Sequence, residues 1–86
     1  MITGINTHFD HGGTDYHIQI EDIASASDLD VRVYSGGRII FHKRHSYREA
    51  VEGLANTTHI QAAVKEELSK LIALVKAAIQ RERIKA

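Results

Sequence analysis

Residues 5–20 read INTHFDHGGTDYHIQI, and this stretch decides the fold. Its Gly12-Gly13 pair lies between two runs that alternate in polarity, and Gly-Gly supplies the positive φ angles that a two-residue hairpin turn requires. A turn centred on the pair places Phe9 opposite Tyr16 and gives the ribbon one apolar face, while polar side chains occupy the other. We therefore predict a β-hairpin that buries one face and exposes the other to water.

A second hairpin is predicted around Gly36-Gly37 by the same argument. Counting outward from this turn pairs Val33 with Ile40 and directs a cluster of large side chains to one face. The members of this cluster are Tyr34, Ile39 and Phe41. Such a cluster needs covering by a helix or by a partner chain, so we predict it as a partner-binding surface.

The pattern changes from strands to helices after residue 44. Ser46-Tyr-Arg-Glu49 and Thr58-His-Ile-Gln61 both have the form of a capping box, in which a hydroxyl and a Glu or Gln satisfy free N–H groups at a helix start. They predict a short helix at about 46–55 and a long one at about 58–83. With strands at about 3–44, residues 1–86 are predicted to be a single α+β domain, a four-stranded antiparallel β-meander followed by a short helix and a long C-terminal helix.

The long helix is amphipathic, and its apolar arc of roughly 160° is wider than one contact stripe needs. A helix with so wide an apolar arc usually packs against two separate surfaces. Part of the arc has the alternating four-and-three spacing that is typical of helices that pair with one another: Val64, Leu68, Leu71, Val75 and Ala78. We therefore predict Leu71 and Val75 as partner contacts in a homodimer.

Composition restricts the class of protein. The 86 residues include no cysteine, which excludes a disulfide and a thiolate metal site. Eleven Lys and Arg balance eleven Asp and Glu, so there is no net positive charge of the kind that drives general nucleic-acid binding. The N-terminal residues lack the basic and apolar regions of a signal peptide, and the apolar runs are too short for a membrane span. We expect a cytoplasmic protein with no membrane partner.

The polar face of the first hairpin carries a candidate metal or small-ligand site. The predicted pairing puts His8 opposite His17 and Asp10 opposite Asp15. Two imidazoles and two carboxylates suit Zn²⁺ or a related ion. The alternative is a solvated sheet face on which histidines lie among acids, since a flat face rarely converges four ligands on one point. The sequence is compatible with both interpretations.

The second hairpin and the residues that follow it are locally basic. Arg38, Lys43, Arg44 and Arg48 are interleaved with aromatic side chains, a mixture that binds single-stranded nucleic acid through stacking and phosphate contacts. Alternation along a strand sends Lys43 and Arg44 to opposite faces, however, so an ordinary charged strand end explains the run as well. Nucleic-acid binding is therefore a second alternative function.

Three segments resemble a known bacterial pattern. YHIQIED at residues 16–22, GGRII at 36–40, and then Lys43 and Ser46-Tyr47 are similar to a small domain of bacterial proteins, many of them deltaproteobacterial, whose pattern reads YHVQTED, GG, II, K and SY. The resemblance covers about the first half of the chain and departs from the pattern at Ile20, where Thr is expected. It implies a recurring ββββα module and no particular chemistry.

The same resemblance implies that the polar residues of its first segment are recognition residues: His17, Gln19, Glu21 and Asp22. A structural role, in which Asp22 caps the turn into the following loop, explains Asp22 equally well.

The sequence offers no groups for catalysis. No Ser, Thr or Lys has the neighbours that activate a nucleophile, and no glycine-rich loop opens a helix to bind phosphate. We therefore predict no enzymatic activity and no cofactor. Surplus apolar surface instead favours a protein–protein interaction module, a homodimeric adaptor or regulatory subunit that also has the capacity to bind a different protein.

Overall fold

The computed structural model describes residues 4–86. The chain forms strands β1 (Gly4–His11), β2 (Thr14–Ile23), β3 (Asp28–Ser35) and β4 (Arg38–Ser46), then a one-turn helix α1 (Arg48–Val51) and a long helix α2 (Thr57–Gln80). The four strands are antiparallel and are hydrogen-bonded in the order β1-β2-β3-β4. The predicted α+β fold, a β-meander followed by a short and a long helix, is confirmed.

The first hairpin has the predicted register. Phe9 lies opposite Tyr16, and Gly12 and Gly13 form the turn with φ angles of 58° and 81°. Residues with a side chain adopt such angles only at a cost in free energy, so the two glycines determine where the chain reverses. The position of the turn then determines which face each later side chain occupies.

The second hairpin differs from the prediction because it contains a β-bulge. Tyr34 pairs with Ile39 beside the turn, but the next pair joins Val33 to Phe41 and leaves Ile40 as an extra residue. The predicted pairing of Val33 with Ile40 is therefore wrong. An extra residue moves every later side chain to the opposite face, so Phe41 packs on the core face while Ile39 stays with Tyr34 on the outer face. The predicted cluster of these three residues is not one surface.

The core lies between one face of the sheet and α2. Inward residues of the two central strands have exposed fractions of 0–1%: Ile18, Ile20, Leu29, Val31 and Val33. The helix contributes Val64, Leu68, Val75 and Ile79. The helical run predicted to pair with a second helix is thus largely used inside the molecule. Val75 in particular, predicted as a partner contact, is only 5% exposed.

The starts of the two helices agree with the prediction only in part. The Asn56 side chain accepts hydrogen bonds from the backbone N–H groups of Thr58 and His59, at 2.8 and 3.2 Å, and so replaces the capping box predicted at Thr58. At α1 the N-cap is Tyr47, which makes no side-chain capping bond, so the full capping box predicted at Ser46 does not form. The Ser46 hydroxyl nevertheless accepts a hydrogen bond from the backbone N–H of Arg48 at 3.3 Å, as that part of the prediction expected.

The C-terminal end of α2 turns back on itself. Glu82 has a left-handed φ of 57°, and the Arg83 N–H donates to the Ala78 carbonyl at 2.8 Å, the bond that defines a Schellman motif. The helix therefore ends at Gln80 and not at about residue 83, and Ile84 folds back to become 7% exposed. No helix within residues 4–86 has the length and apolar character that crossing a membrane requires.

One helix is too narrow to cover four strands. Strands about 4.8 Å apart make a sheet of this size roughly 19 Å wide, whereas a helix with its side chains is about 10–12 Å across. The helix contacts the β1 edge of the sheet, where Lys76 Nζ lies 5.7 Å from the centre of the Phe9 ring. The core face of β4, at the other edge, is consequently left partly uncovered.

Candidate functional site

An apolar groove runs between β4 and α2, where the helix fails to cover the sheet. It encloses about 200 Å³. The sheet supplies Val31 and Phe41, the helix supplies Leu71, Leu74, Val75 and Ala78, and the folded-back C-terminal residue Ile84 completes the lining. Phe41 reaches this groove only because the bulge moved it to the core face.

Leu74 is the most exposed large apolar side chain of the groove. Its exposed fraction is 65%, whereas Leu68, less than two turns earlier on the same helix, is 7% exposed. A single exposed leucine is ordinary on a protein surface. This one continues an apolar surface formed by Leu71 and Phe41, and such continuity is typical of a binding site.

Polar groups along the rim of the groove are mainly basic. Lys43 and His45 border it from β4. Glu67 lies between two of the basic groups, with its carboxylate oxygens 3.5 Å from His45 Nε2 and 3.6 Å from Lys70 Nζ. Glu67, which lies within the apolar arc of the helix, is thus already engaged by the Lys70 ammonium group and the His45 imidazole.

The predicted partner-binding residues are divided between two faces. Phe41, Leu71 and Val75 line the groove, whereas Tyr34 and Ile39 lie on the outer face of the sheet. Leu74 is the main groove residue that sequence reasoning did not single out as a contact. It lies within the wide apolar arc, and only the packing of the helix shows that this part of the arc faces solvent.

A charged cluster on the outer face was not predicted. The Asp30 carboxylate is 2.7 Å from His42 Nε2, 3.1 Å from Arg32 Nε and 3.4 Å from Arg44 Nε. Asp30 is only 4% exposed because these long side chains cover it. The predicted register placed His42 and Arg44 on the core face, and the bulge is what brings them to Asp30.

The charges around Asp30 lower its pKa. Burial by itself would raise the pKa of this carboxyl, but the hydrogen bond with His42 and the positive charges of His42, Arg32 and Arg44 together outweigh that effect. The carboxylate therefore stays ionised and joins β3 to β4 on the outer face.

The basic residues proposed to bind nucleic acid are also separated. Arg44 is engaged by Asp30 and lies 3.8 Å from Asp28, while Lys43 borders the groove on the opposite face. Arg38 is at the Gly-Gly turn and Arg48 begins α1. These four side chains do not form one basic surface, so the structure offers no observation that favours nucleic-acid binding.

The predicted metal ligands do not converge. His8 and His17 stack with ring centres 4.7 Å apart and planes 4° apart. His8 Nδ1 is directed at Asp15, 3.1 Å away, and His17 Nε2 at the Asn6 side-chain oxygen, 3.2 Å away. Within residues 4–86 no three His, Cys, Asp or Glu side chains are arranged to hold a metal, so the structure does not bring the predicted set, which also included Asp10, together as ligands.

Residues implied by the resemblance fall into two groups. His17 and Gln19 line a shallow outer-face pocket of about 430 Å³ beside Tyr34, and Glu21 is exposed on the same face. Asp22 has a structural partner instead, since the Tyr47 hydroxyl donates to its carboxylate at 2.7 Å. Burial, and then this hydrogen bond, raise the pKa of Tyr47 to about 12.

Comparisons of the chain with protein-family models, with curated proteins and with solved structures give no match. Function is therefore inferred from the geometry of the groove and of the outer face alone.

Proposed function

We propose that the chain is a non-enzymatic protein–protein interaction module, an adaptor or regulatory subunit of the cytoplasm, that docks a partner in the groove between β4 and α2. One observation carries the proposal. A single helix leaves β4 partly uncovered, and the resulting groove places Leu74, 65% exposed, beside Phe41 and Leu71.

The composition of the groove supports this proposal. Protein interfaces generally have an apolar centre that excludes water and a polar rim that remains hydrated. Phe41, Leu71 and Leu74 provide such a centre, and Lys43 and His45 provide part of such a rim. Two kinds of occupant match the apolar centre: a second copy of the chain, as the sequence predicted, and a segment of a different protein.

The proposal is tested by comparing the wild type with Leu74→Asp and with Leu54→Asp. Leu54 is 38% exposed and lies outside the groove, so it is the matched control. Mass in solution is measured by light scattering behind a sizing column at several concentrations, and partner capture is measured from an extract of the native cell. We expect Leu74→Asp alone to lose self-association or capture.

Two outcomes would contradict the proposal. If the three proteins have the same mass in solution and retain the same proteins from the extract, the groove is not the docking surface. If the wild type is a monomer at every concentration and retains nothing, the chain is not an interaction module.

A further inference from the structure

The uncovered strip of the sheet is the core face of β4, roughly 7–9 Å wide, which is somewhat less than the width of one helix with its side chains. The molecule measures 44 × 20 × 17 Å, which corresponds to one sheet with one helix on it. Packed helices lie roughly 8–10 Å apart, so a second helix beside α2 would lie over β4 and complete the cover of a sheet roughly 19 Å wide. A helix is therefore a better match to the free space than an extended strand or a globular surface.

A helix in this position would find apolar contacts over about two turns of α2. Leu71, Leu74 and Ala78 are spaced three and four residues apart along α2, and Phe41 lies opposite them on the strand. A partner helix with apolar residues at positions i, i+3 or i+4, and i+7 presents a stripe that matches this spacing. Its other face would remain in water, so the partner helix is amphipathic.

The charges around the groove indicate which sign of charge a partner should carry. Lys43 borders the groove and has no carboxylate of residues 4–86 within 4.0 Å of its ammonium group. Arg83 and Lys85 are exposed on either side of the lining residue Ile84 but do not line the groove themselves. Glu67 is offset by His45 and Lys70. Lys43 is therefore the uncompensated charge of the groove lining, so an acidic partner would meet complementary charge there.

A second copy of the chain fits this rim poorly. In a two-fold dimer the same patch faces itself, so Lys43 of one copy would lie against the groove that carries Lys43 of the other. Juxtaposed like charges disfavour association. A basic residue on an edge strand such as β4 is also a common device against self-pairing of sheets.

We propose that the groove binds an acidic amphipathic helix of another protein, with apolar side chains between Phe41 and Leu74 and with Asp or Glu opposite Lys43. This inference rests on the proposed function, because it names the partner of the same groove. Complementary charge raises the rate of association, so binding should weaken as salt is added.

The test uses a displayed library of helices of about five turns. Each member has leucines at fixed i, i+3 and i+7 positions, and each surrounding position is randomly Glu or Lys. The library is selected on the wild type, on Lys43→Glu and on Leu74→Glu, and circular dichroism checks that both variants are folded. One selected helix is then labelled, and its affinity is measured by fluorescence anisotropy at two salt concentrations.

We expect Glu to be enriched over Lys in helices selected on the wild type, and enrichment to fall or reverse on Lys43→Glu. The selected helix should lose about tenfold in affinity for Lys43→Glu. Leu74→Glu should select no helix above background.

Other outcomes separate the inference from the proposed function. Helices selected without any preference between Glu and Lys, but still dependent on Leu74, would overturn the acidic partner and leave the groove as a helix-binding site. If no helix is selected and the wild type is a dimer that Leu74→Glu dissociates, the occupant is a second copy and the inference is wrong. If no helix is selected and the wild type is a monomer that captures nothing, both proposals fail.

Discussion

Asp30 is the residue whose environment differs most from that of an ordinary surface carboxylate. It is covered by Arg32, His42 and Arg44. We expect Asp30→Asn to lower the free energy of unfolding by about 1–3 kcal/mol at pH 7, because charge-assisted hydrogen bonds are lost and the Arg32 and Arg44 guanidinium groups are left close together without a counter-charge. Urea denaturation at pH 7 measures this change.

The pH dependence of this effect has a definite sign. Because the folded-state pKa of Asp30 is lowered, its contribution to stability is present above the ordinary value of 3.8 and is lost as pH falls through the lower folded-state value. The difference between wild type and Asp30→Asn should therefore shrink when the measurement is repeated near pH 3. Asp15→Asn is the control, since the Asp15 side chain is 59% exposed. Equal losses in the two variants would contradict the account of Asp30.

Tyr47 provides a second test at the level of one residue. The chain has three tyrosines, and the pKa of Tyr47 is raised to about 12 by burial and by its hydrogen bond to Asp22. In an absorbance titration we expect a late phenol ionisation that is absent from Tyr47→Phe. A raised pKa means that the stabilisation is present below about pH 10 and is lost as pH rises through about 12. A loss of amplitude near pH 10 in Tyr47→Phe, with no late phase in the wild type, would show that the Tyr47 hydroxyl titrates normally and would contradict the raised pKa.

The C-terminal end of α2 contains a residue other than glycine in a left-handed backbone conformation. Glu82 holds the left-handed conformation that glycine adopts most readily in a Schellman motif. We expect Glu82→Gly to raise the free energy of unfolding by about 0.5–1 kcal/mol, measured as a higher midpoint in thermal or urea unfolding. Glu82→Ala is the control, because alanine removes the same charge without easing the backbone. A gain in both variants would indicate a charge effect and not a backbone effect.

The elements themselves were predictable to different degrees. Gly12-Gly13 between alternating runs determined the first hairpin, and the absence of Gly and Pro after residue 58 indicated the long helix. The predicted register of the second hairpin was wrong because Ile39, Ile40 and Phe41 are all apolar, so the alternation of polarity gave no sign of a bulge. The N-cap of α2 was predicted wrongly because Asn56, a residue type that is also strongly preferred at N-caps, lies two residues before Thr58.

At the scale of the whole molecule, the groove was only partly predictable. The sequence indicated surplus apolar surface and named Phe41, Leu71 and Val75, which the structure places in one groove. It assigned Phe41 to the wrong face, because the bulge was not visible. The existence of a groove could nevertheless be predicted by counting the elements in the sequence, since four strands and one long helix leave roughly 7–9 Å of sheet uncovered.

The same balance of strands and helix separates the residues that fold the molecule from those available for binding. Leu68 and Leu74 lie on one helix, but they are 7% and 65% exposed. We expect Leu68→Ala to lower the free energy of unfolding by about 2–5 kcal/mol, because it leaves a cavity, and Leu74→Ala to change it by less than about 0.5 kcal/mol. Urea denaturation of the two variants, which carry the same substitution on the same helix, measures both.

The comparison also bears on what the groove is for. An apolar side chain that contributes little to the stability of the free chain, yet is required for docking, belongs to an interface and not to a core. A loss for Leu74→Ala as large as that for Leu68→Ala would mean that the groove is closed in solution by the chain itself. The uncovered strip of β4 would then be part of the core, and the docking surface would have to lie elsewhere on the molecule.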